Sequence, residues 1–200
     1  MATRERLLEV ARVLFAQHGY EGTSVRAITT AATANLGAIT YHFGSKEELY
    51  AAVLKSVWEP TLDNLERATV GLEAPLDRLA AAVRALLVNI GQHAEIAPIM
   101  LREISRPGAV SPPIRESVRR LFAFLSGLVQ AGQTDGSIVP GDAHLLTLSV
   151  MAQPFHILAL RPKMGPVIGV QASEGATFDR VVDNAVAFVR RGLSAEEKSV

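Results

Sequence analysis

Cysteine is absent from the 200 residues. Its absence excludes a disulfide framework, a thiolate zinc site, an iron–sulfur cluster and a cysteine nucleophile, and it fits a reducing cytoplasm. Excess charge of either sign is missing too. Twenty Lys plus Arg balance twenty Asp plus Glu, so any electrostatic footprint for a partner has to be local. Aromatic residues make up only 6%, beside 48% hydrophobic and 20% charged residues, a composition that excludes a disordered or collagen-like chain. Long hydrophobic runs are also lacking. The stretch Leu145 to Leu160 is interrupted by Thr147, Ser149, Gln153, Pro154 and His156, and falls short of the ~18 apolar residues that suggest a membrane span. It reads as a buried helix, and no membrane partner is expected. The opening MATRERLLEV has no apolar core of a signal peptide, so export by that route is not expected and a cytoplasmic location is.

What is present is helical periodicity. Leu7, Leu8, Ala11, Leu14, Phe15 and His18 lie on one face of a 3.6-residue period, and Gly19 supplies a stop. Leu76 to Ile90, Val118 to Val129 and Phe178 to Val189 repeat the pattern. No segment alternates with period two, so the expected fold class is all-α. Gly71, Pro107-Gly108, Pro112-Pro113, the stretch from Gly132 to Gly141 and the stretch from Arg161 to Pro166 read as loops. Pro154, inside an apolar helical run, is expected to bend or split its helix.

Residues 3 to 55 carry the informative pattern. Thr23 or Ser24 can cap a short helix that includes Val25, Ile28 and Ala32, and Thr33-Ala34 form a tight turn. Asn35 is a suitable N-cap for a second short helix from Leu36 to about Tyr41, ended by Gly44. Ser45 and Glu48 have capping-box spacing at the head of a long helix. Two short helices joined by a tight turn behind a supporting helix make a helix-turn-helix, whose second helix can enter the major groove of DNA. Gly37 and Ala38 permit close backbone approach, while Asn35, Thr40, Tyr41 and His42 offer hydrogen-bonding groups to phosphates or base edges. Lys46, in the first turn of the next helix, can combine its charge with free amides to hold a phosphate.

The string TSVRAITTAATANLGAITYHFGSKEELY resembles the DNA-binding region of TetR-type (tetracycline-repressor-like) transcriptional regulators, notably in its TSVRAI, ITYHF and GSKEEL blocks. The likeness runs from about Arg4 to Val57. It implies an N-terminal three-helix DNA-binding domain at 1–48 and a helical ligand-binding and dimerisation domain at 49–192; the residues after Gly192, small and charged, are expected to fray as a tail at 193–200. It further implies that Arg26 contacts the DNA backbone or a base, that Leu36, Gly37 and Ala38 face the major groove, and that Thr40, Tyr41 and His42 supply phosphate and some base contacts. Lys46 falls on the family's phosphate-binding lysine, Ser24 is a phosphate contact as well as a cap, and Ile28, Ile39 and Phe43 should be core. Two departures stand out: Thr33 occupies a turn position that is often Gly, and Thr40 one that is often Tyr, with the ring at Tyr41 instead. Residues 1 to 50 carry five basic and five acidic side chains, so nonspecific DNA binding should be weak and salt-sensitive.

A single helix-turn-helix reads too few base pairs for useful specificity. A homodimer reading a palindromic double-stranded operator is therefore expected, with Ala143 to Leu160 and Phe178 to Arg191 as interface helices in keeping with the resemblance. Trp58, Met100, Phe122, Phe124, Met151, Phe155 and His156 can line an apolar effector pocket with polar contacts from Glu103, Gln153 or His156. Each is equally suited to plain core. Glu103, on an apolar face with Ile96, Ile99 and Met100, needs a partner such as Arg102, Arg106 or a ligand. No phosphate loop, G-x-S-x-G elbow or H-E-x-x-H occurs, and the five histidines are scattered, so neither an enzyme nor a metal or cofactor is expected. The alternative classes are a helical protein-interaction module, or a ligand-binding protein without operator binding.

Overall fold

The computed structural model describes residues 3–93, 95–105, 108, 110, 112–164, 167 and 176–195; within these, the side chains of 96, 104, 113, 155, 156, 158–164 and 177 lie outside the description. The described residues form nine helices and no strand: α1 (Thr3–Gly22), α2 (Val25–Ala31), α3 (Ala38–Phe43), α4 (Lys46–Ala68), α5 (Pro75–Gln92), α6 (Ile96–Ser105), α7 (Pro112–Asp135), α8 (Ala143–Met164) and α9 (Ala176–Leu193). The all-α expectation holds. Two compact units divide the chain: Met1–Pro60 with Ala94–Ser117, and Thr61–His93 with Val118–Val200. Neither unit is continuous in sequence.

In the first unit, α1 buries Leu7, Ala11 and Phe15 against its neighbours α2 and α6. α2 packs on α1 and α3 with Ile28 and Ile39 buried, and Leu49 and Val53 of α4 are buried as well. Each such side chain, fully withdrawn from water, contributes about 1.5–3 kcal/mol before entropy is counted. Gly19 leaves helical geometry inside α1 (φ 73°, ψ 175°), the stop that the sequence suggests. Buried Thr23 then donates its hydroxyl to the carbonyls of Gly19, at 2.8 Å, and Leu14, at 3.1 Å, so it closes the end of α1. Ser24 is the cap of α2, accepting from the Ala27 amide at 3.0 Å.

In the second unit α5 packs on α8 and α9, burying Leu79, Val83, Leu86, Leu87 and Ile90 with Val182, Ala185 and Val189. A polar pair lies within this apolar setting. Asn89 donates to the Thr61 hydroxyl at 2.6 Å and accepts from Asn64 at 3.4 Å.

Several breaker readings do not survive. Pro112 opens α7, because proline's fixed φ and missing donor are tolerated in a helix's first turn. α7 runs on through Gly132, against which Ile138 folds back, and α8 includes Arg161 to Met164. α8 also continues through Pro154, as α4 does through Pro60, so of the two outcomes expected at Pro154, a bend or a split, the split does not occur. Pro107 lies outside the described residues. The segment after α9 is tied through Ala195, whose amide donates to the Ser137 carbonyl at 3.1 Å, while the Val139 amide donates to that of Leu193 at 2.8 Å. Residues 196–200 lie outside the described residues.

Candidate nucleic-acid interface

The turn between α2 and α3 fixes how α3 is presented. The Thr33 amide donates to the Thr30 carbonyl at 3.1 Å and the Ala34 amide to that of Thr29 at 2.8 Å, the paired bonds of a Schellman C-cap. That motif needs a left-handed residue at its corner, and Thr33 takes it with φ 51°, alone among the described non-glycine residues. The departure seen in the sequence is thus met by strain, not by a looser turn.

Asn35 does not cap α3. Its carbonyl accepts the Ala38 amide at 2.9 Å in a further turn, and Gly37 stands at the N-cap with no side-chain hydrogen bond. α3 consequently starts at Ala38, two residues later than expected, and runs to Phe43 before Gly44 (φ 88°) ends it. Ser45 accepts from the Glu48 amide at 3.1 Å, so the first half of the expected capping box is present.

A surface depression of about 510 Å³ brings Asn35, Gly37, Ala38, Tyr41 and His42 together with Thr3 and Arg6 of α1. Tyr41 is 85% exposed and Leu36 63% exposed, so both side chains stand open to solvent. Thr40 is also exposed. Ser24 and Arg26 are exposed at the start of α2, outside the depression. Thr3 and Arg6 carry no site signal in the sequence, since their periodicity shows only that they are off the apolar face.

Lys46 is set on an aromatic platform. Its ammonium lies 4.1 Å from the centroid of the Tyr20 ring, and the Tyr20 hydroxyl donates to Glu47. That hydrogen bond is the main reason the exposed Glu47 carboxyl is held below its ordinary value. Tyr20 in turn packs on Phe15 and Tyr50, with centroids 6.1 and 5.1 Å away. Phe43, expected in the core, is only half-buried, and Arg4 covers it with its guanidinium 5.0 Å from the ring centre.

The residues suggested for an effector pocket are divided. Trp58, Met100 and Glu103 are buried and belong to the first unit; Met151 is buried, and Phe122, Phe124 and Gln153 half-buried, in the second. Phe122 stacks on His144 at 5.6 Å. The side chains of Phe155 and His156 lie outside the described residues, as does Arg106. Glu103 takes a hydrogen bond from Tyr50, at 3.2 Å, while Arg102 donates to the Gln17 carbonyl at 2.7 Å. Of the two arginines expected from sequence spacing, Arg102 is engaged with Gln17 and Arg106 is outside the description, while the tyrosine 53 positions away could not be read from the sequence.

Residues 7–53 match the profile of bacterial regulatory proteins of the tetR family. Along most of its length the chain is similar to the transcriptional regulator RutR of Escherichia coli K12, 23% identical over 193 residues, covering 96% of this chain and 91% of the relative. The transcriptional repressor AcnR of Corynebacterium glutamicum is 47% identical over 53 residues, 26% of this chain and 28% of that one. The fold is that of the regulator FadR from Bacillus subtilis, solved in complex with stearoyl-CoA: TM-score 0.78, 16% identity, 94% of this chain and 98% of that chain covered.

Proposed function

Because the chain belongs to the tetR family of bacterial regulatory proteins, we propose that it is a ligand-responsive transcriptional repressor that binds a palindromic operator as a homodimer. The observation that carries this reading is the exposed front of α3. Asn35, Leu36, Gly37, Ala38, Thr40, Tyr41 and His42 gather there on or beside one depression, without a bulky side chain at Gly37 or Ala38 to hold base edges away. Arg26 and Ser24 on α2 and Lys46 on α4 contact phosphates and set the register. On this division of labour residues 1–48 read DNA, and 49–192 bind effector and dimerise.

Dimerisation is supported by Leu145 and Leu148 on α8 and Phe188 on α9, which are 63%, 58% and 61% exposed in the single chain. Helices α8 and α9 of two copies would cover these side chains across a twofold axis, placing two recognition helices about one DNA turn, ~34 to 36 Å, apart. A small amphipathic effector in the second domain then acts by preferring one spacing of the two heads, to the extent of its differential affinity for the two forms. Family membership supports regulation in place of catalysis. No helix among the described residues is long and apolar enough to cross a membrane, and we assign the protein to the cytoplasm, where its operator lies.

Selection of bound sequences from a random duplex pool, at a stated moderate salt concentration, tests the proposal. Enrichment of an inverted repeat is expected. Failure to enrich any sequence, with or without candidate effectors, overturns it in favour of a helical protein-interaction module.

A further inference from the structure

Asn35 has the side chain of a helix cap and is not used as one. Its backbone is held from both sides: the Ala34 amide donates to the Thr29 carbonyl at 2.8 Å, and the Ala38 amide to the Asn35 carbonyl at 2.9 Å. The carboxamide itself hydrogen-bonds to nothing among the described residues, is exposed, and lines the depression in front of α3. Leu36, next to it, is also exposed, while Ile39 of α3 is buried. Beside Leu36 the space is open, since a Cβ added at Gly37 would meet nothing within 4 Å.

What this edge can read is limited by what it lacks. From Thr33 to Phe43 there is no Arg, Lys, Asp or Glu, so neither the forked donor that suits guanine nor the carboxylate that accepts from cytosine is present. Two chemistries remain at the front of α3. A carboxamide offers a donor and an acceptor side by side, which matches N6 and N7 of adenine in the major groove. A leucine side chain can neither donate nor accept, and the apolar group on the major-groove edge of a base pair is the 5-methyl of thymine. Successive Cα atoms lie about 3.8 Å apart and successive base pairs about 3.4 Å, so consecutive side chains on one edge meet the same pair or its neighbour. The N-terminal residues of a recognition helix are the ones that reach base edges.

We propose that Asn35 and Leu36 select A·T pairs in each operator half-site, the Asn35 carboxamide bonding N6 and N7 of an adenine and Leu36 packing on the methyl of a thymine in the same pair or the next. This deepens the DNA-binding reading and rests on it. Sequence choice at this step is made by an amide and a methyl contact, while the charged side chains of Arg26 and Lys46 supply affinity shared by all sequences.

The test uses the inverted repeat enriched by the operator selection, bound to the full chain and followed by fluorescence anisotropy at constant salt. Each thymine in turn is replaced by uracil, which pairs alike but lacks the methyl, and each adenine by 7-deazaadenine, which lacks N7. One uracil position per half-site is expected to weaken binding about fourfold, and about fifteenfold when both halves carry it. One 7-deazaadenine position in the same or the adjacent pair should weaken it about fivefold or more. Leu36→Ala, a change at an exposed position, should bind the unsubstituted and the uracil duplex equally, and Asn35→Ala should not distinguish the 7-deazaadenine duplex. Binding by the unaltered chain that no uracil position changes, or a uracil effect that survives Leu36→Ala, overturns the proposal; so does either corresponding outcome for adenine and Asn35→Ala. An inverted repeat bound without regard to thymine methyls refutes this assignment alone, whereas enrichment of no sequence refutes the DNA-binding reading and the assignment with it.

Discussion

The ammonium of Lys46 stands 4.1 Å from the centre of the Tyr20 ring, so the side chain assigned to a phosphate is steered by a residue on a different helix. Lys46→Ala is expected to weaken operator binding and to flatten its salt dependence by ~0.9 in the log–log slope for each phosphate that is no longer neutralised, about twice that for a dimer. Tyr20→Leu, which keeps the lysine but removes its platform, should weaken binding less and leave the slope nearly unchanged. Fluorescence anisotropy titrations from low to moderate salt separate the two.

Tyr20→Phe keeps the ring and removes only the hydroxyl that holds Glu47 below the ordinary carboxylate value. The Glu47 titration should move upward, followed by carboxyl-carbon NMR. Because the native pKa is depressed, whatever stability this hydrogen bond gives is present above the unfolded pKa and fades as pH falls through the folded one. The variant should lose stability at neutral pH relative to acid pH; a Glu47 titration that stays in place contradicts the assignment.

Thr33 holds φ 51° at the corner of the Schellman turn. A β-branched side chain there costs roughly 1–2 kcal/mol relative to glycine, part of which returns as added unfolded-state entropy in the glycine variant. Thr33→Gly is therefore expected to stabilise the protein by about 1 kcal/mol in urea denaturation.

The Asn89–Thr61 pair is buried on both sides, at 4% and 0% exposure. Asn89→Leu alone removes the donor to the Thr61 hydroxyl and the acceptor of the Asn64 amide, and should cost about 1–3 kcal/mol. Adding Thr61→Val should cost less than the sum of the two single changes, a coupling that a double-mutant cycle reads directly.

Leu148→Glu puts a charge on an exposed position of α8. The chain should stay folded by circular dichroism and sediment as a monomer, with loss of operator binding. A variant that remains dimeric moves the interface away from α8.

Local rules carried the sequence reading wherever one residue type settles the backbone. Gly19, Ser24 and Gly44 end or begin helices where their chemistry demands. Asn35 misled because a good capping side chain need not be used once a turn places Gly37 at the cap. Pro112 misled in the opposite sense, since proline breaks a helix from within and starts one from outside. Long-range pairing was out of reach: nothing local joins Tyr50 to Glu103 or Arg102 to Gln17, and the ring platform of Tyr20 exists only once α1 and α4 are packed. The exposed front of α3 was legible because its spacing follows from the turn.

Helix α6 also bears on the order in which the protein is made. Arg12 pairs with Glu95 at 3.0 Å, and Arg102 grips the Gln17 carbonyl, so the first unit is closed by a segment that leaves the ribosome some fifty residues after the last residue of α3. While α5 is being synthesised, the three N-terminal helices are already available to pair with one another, yet the outer face of α1 has no cover. A nascent chain halted before Ile96 would present that face to chaperones, and the nucleic-acid-reading head gains its full support only after that point in translation.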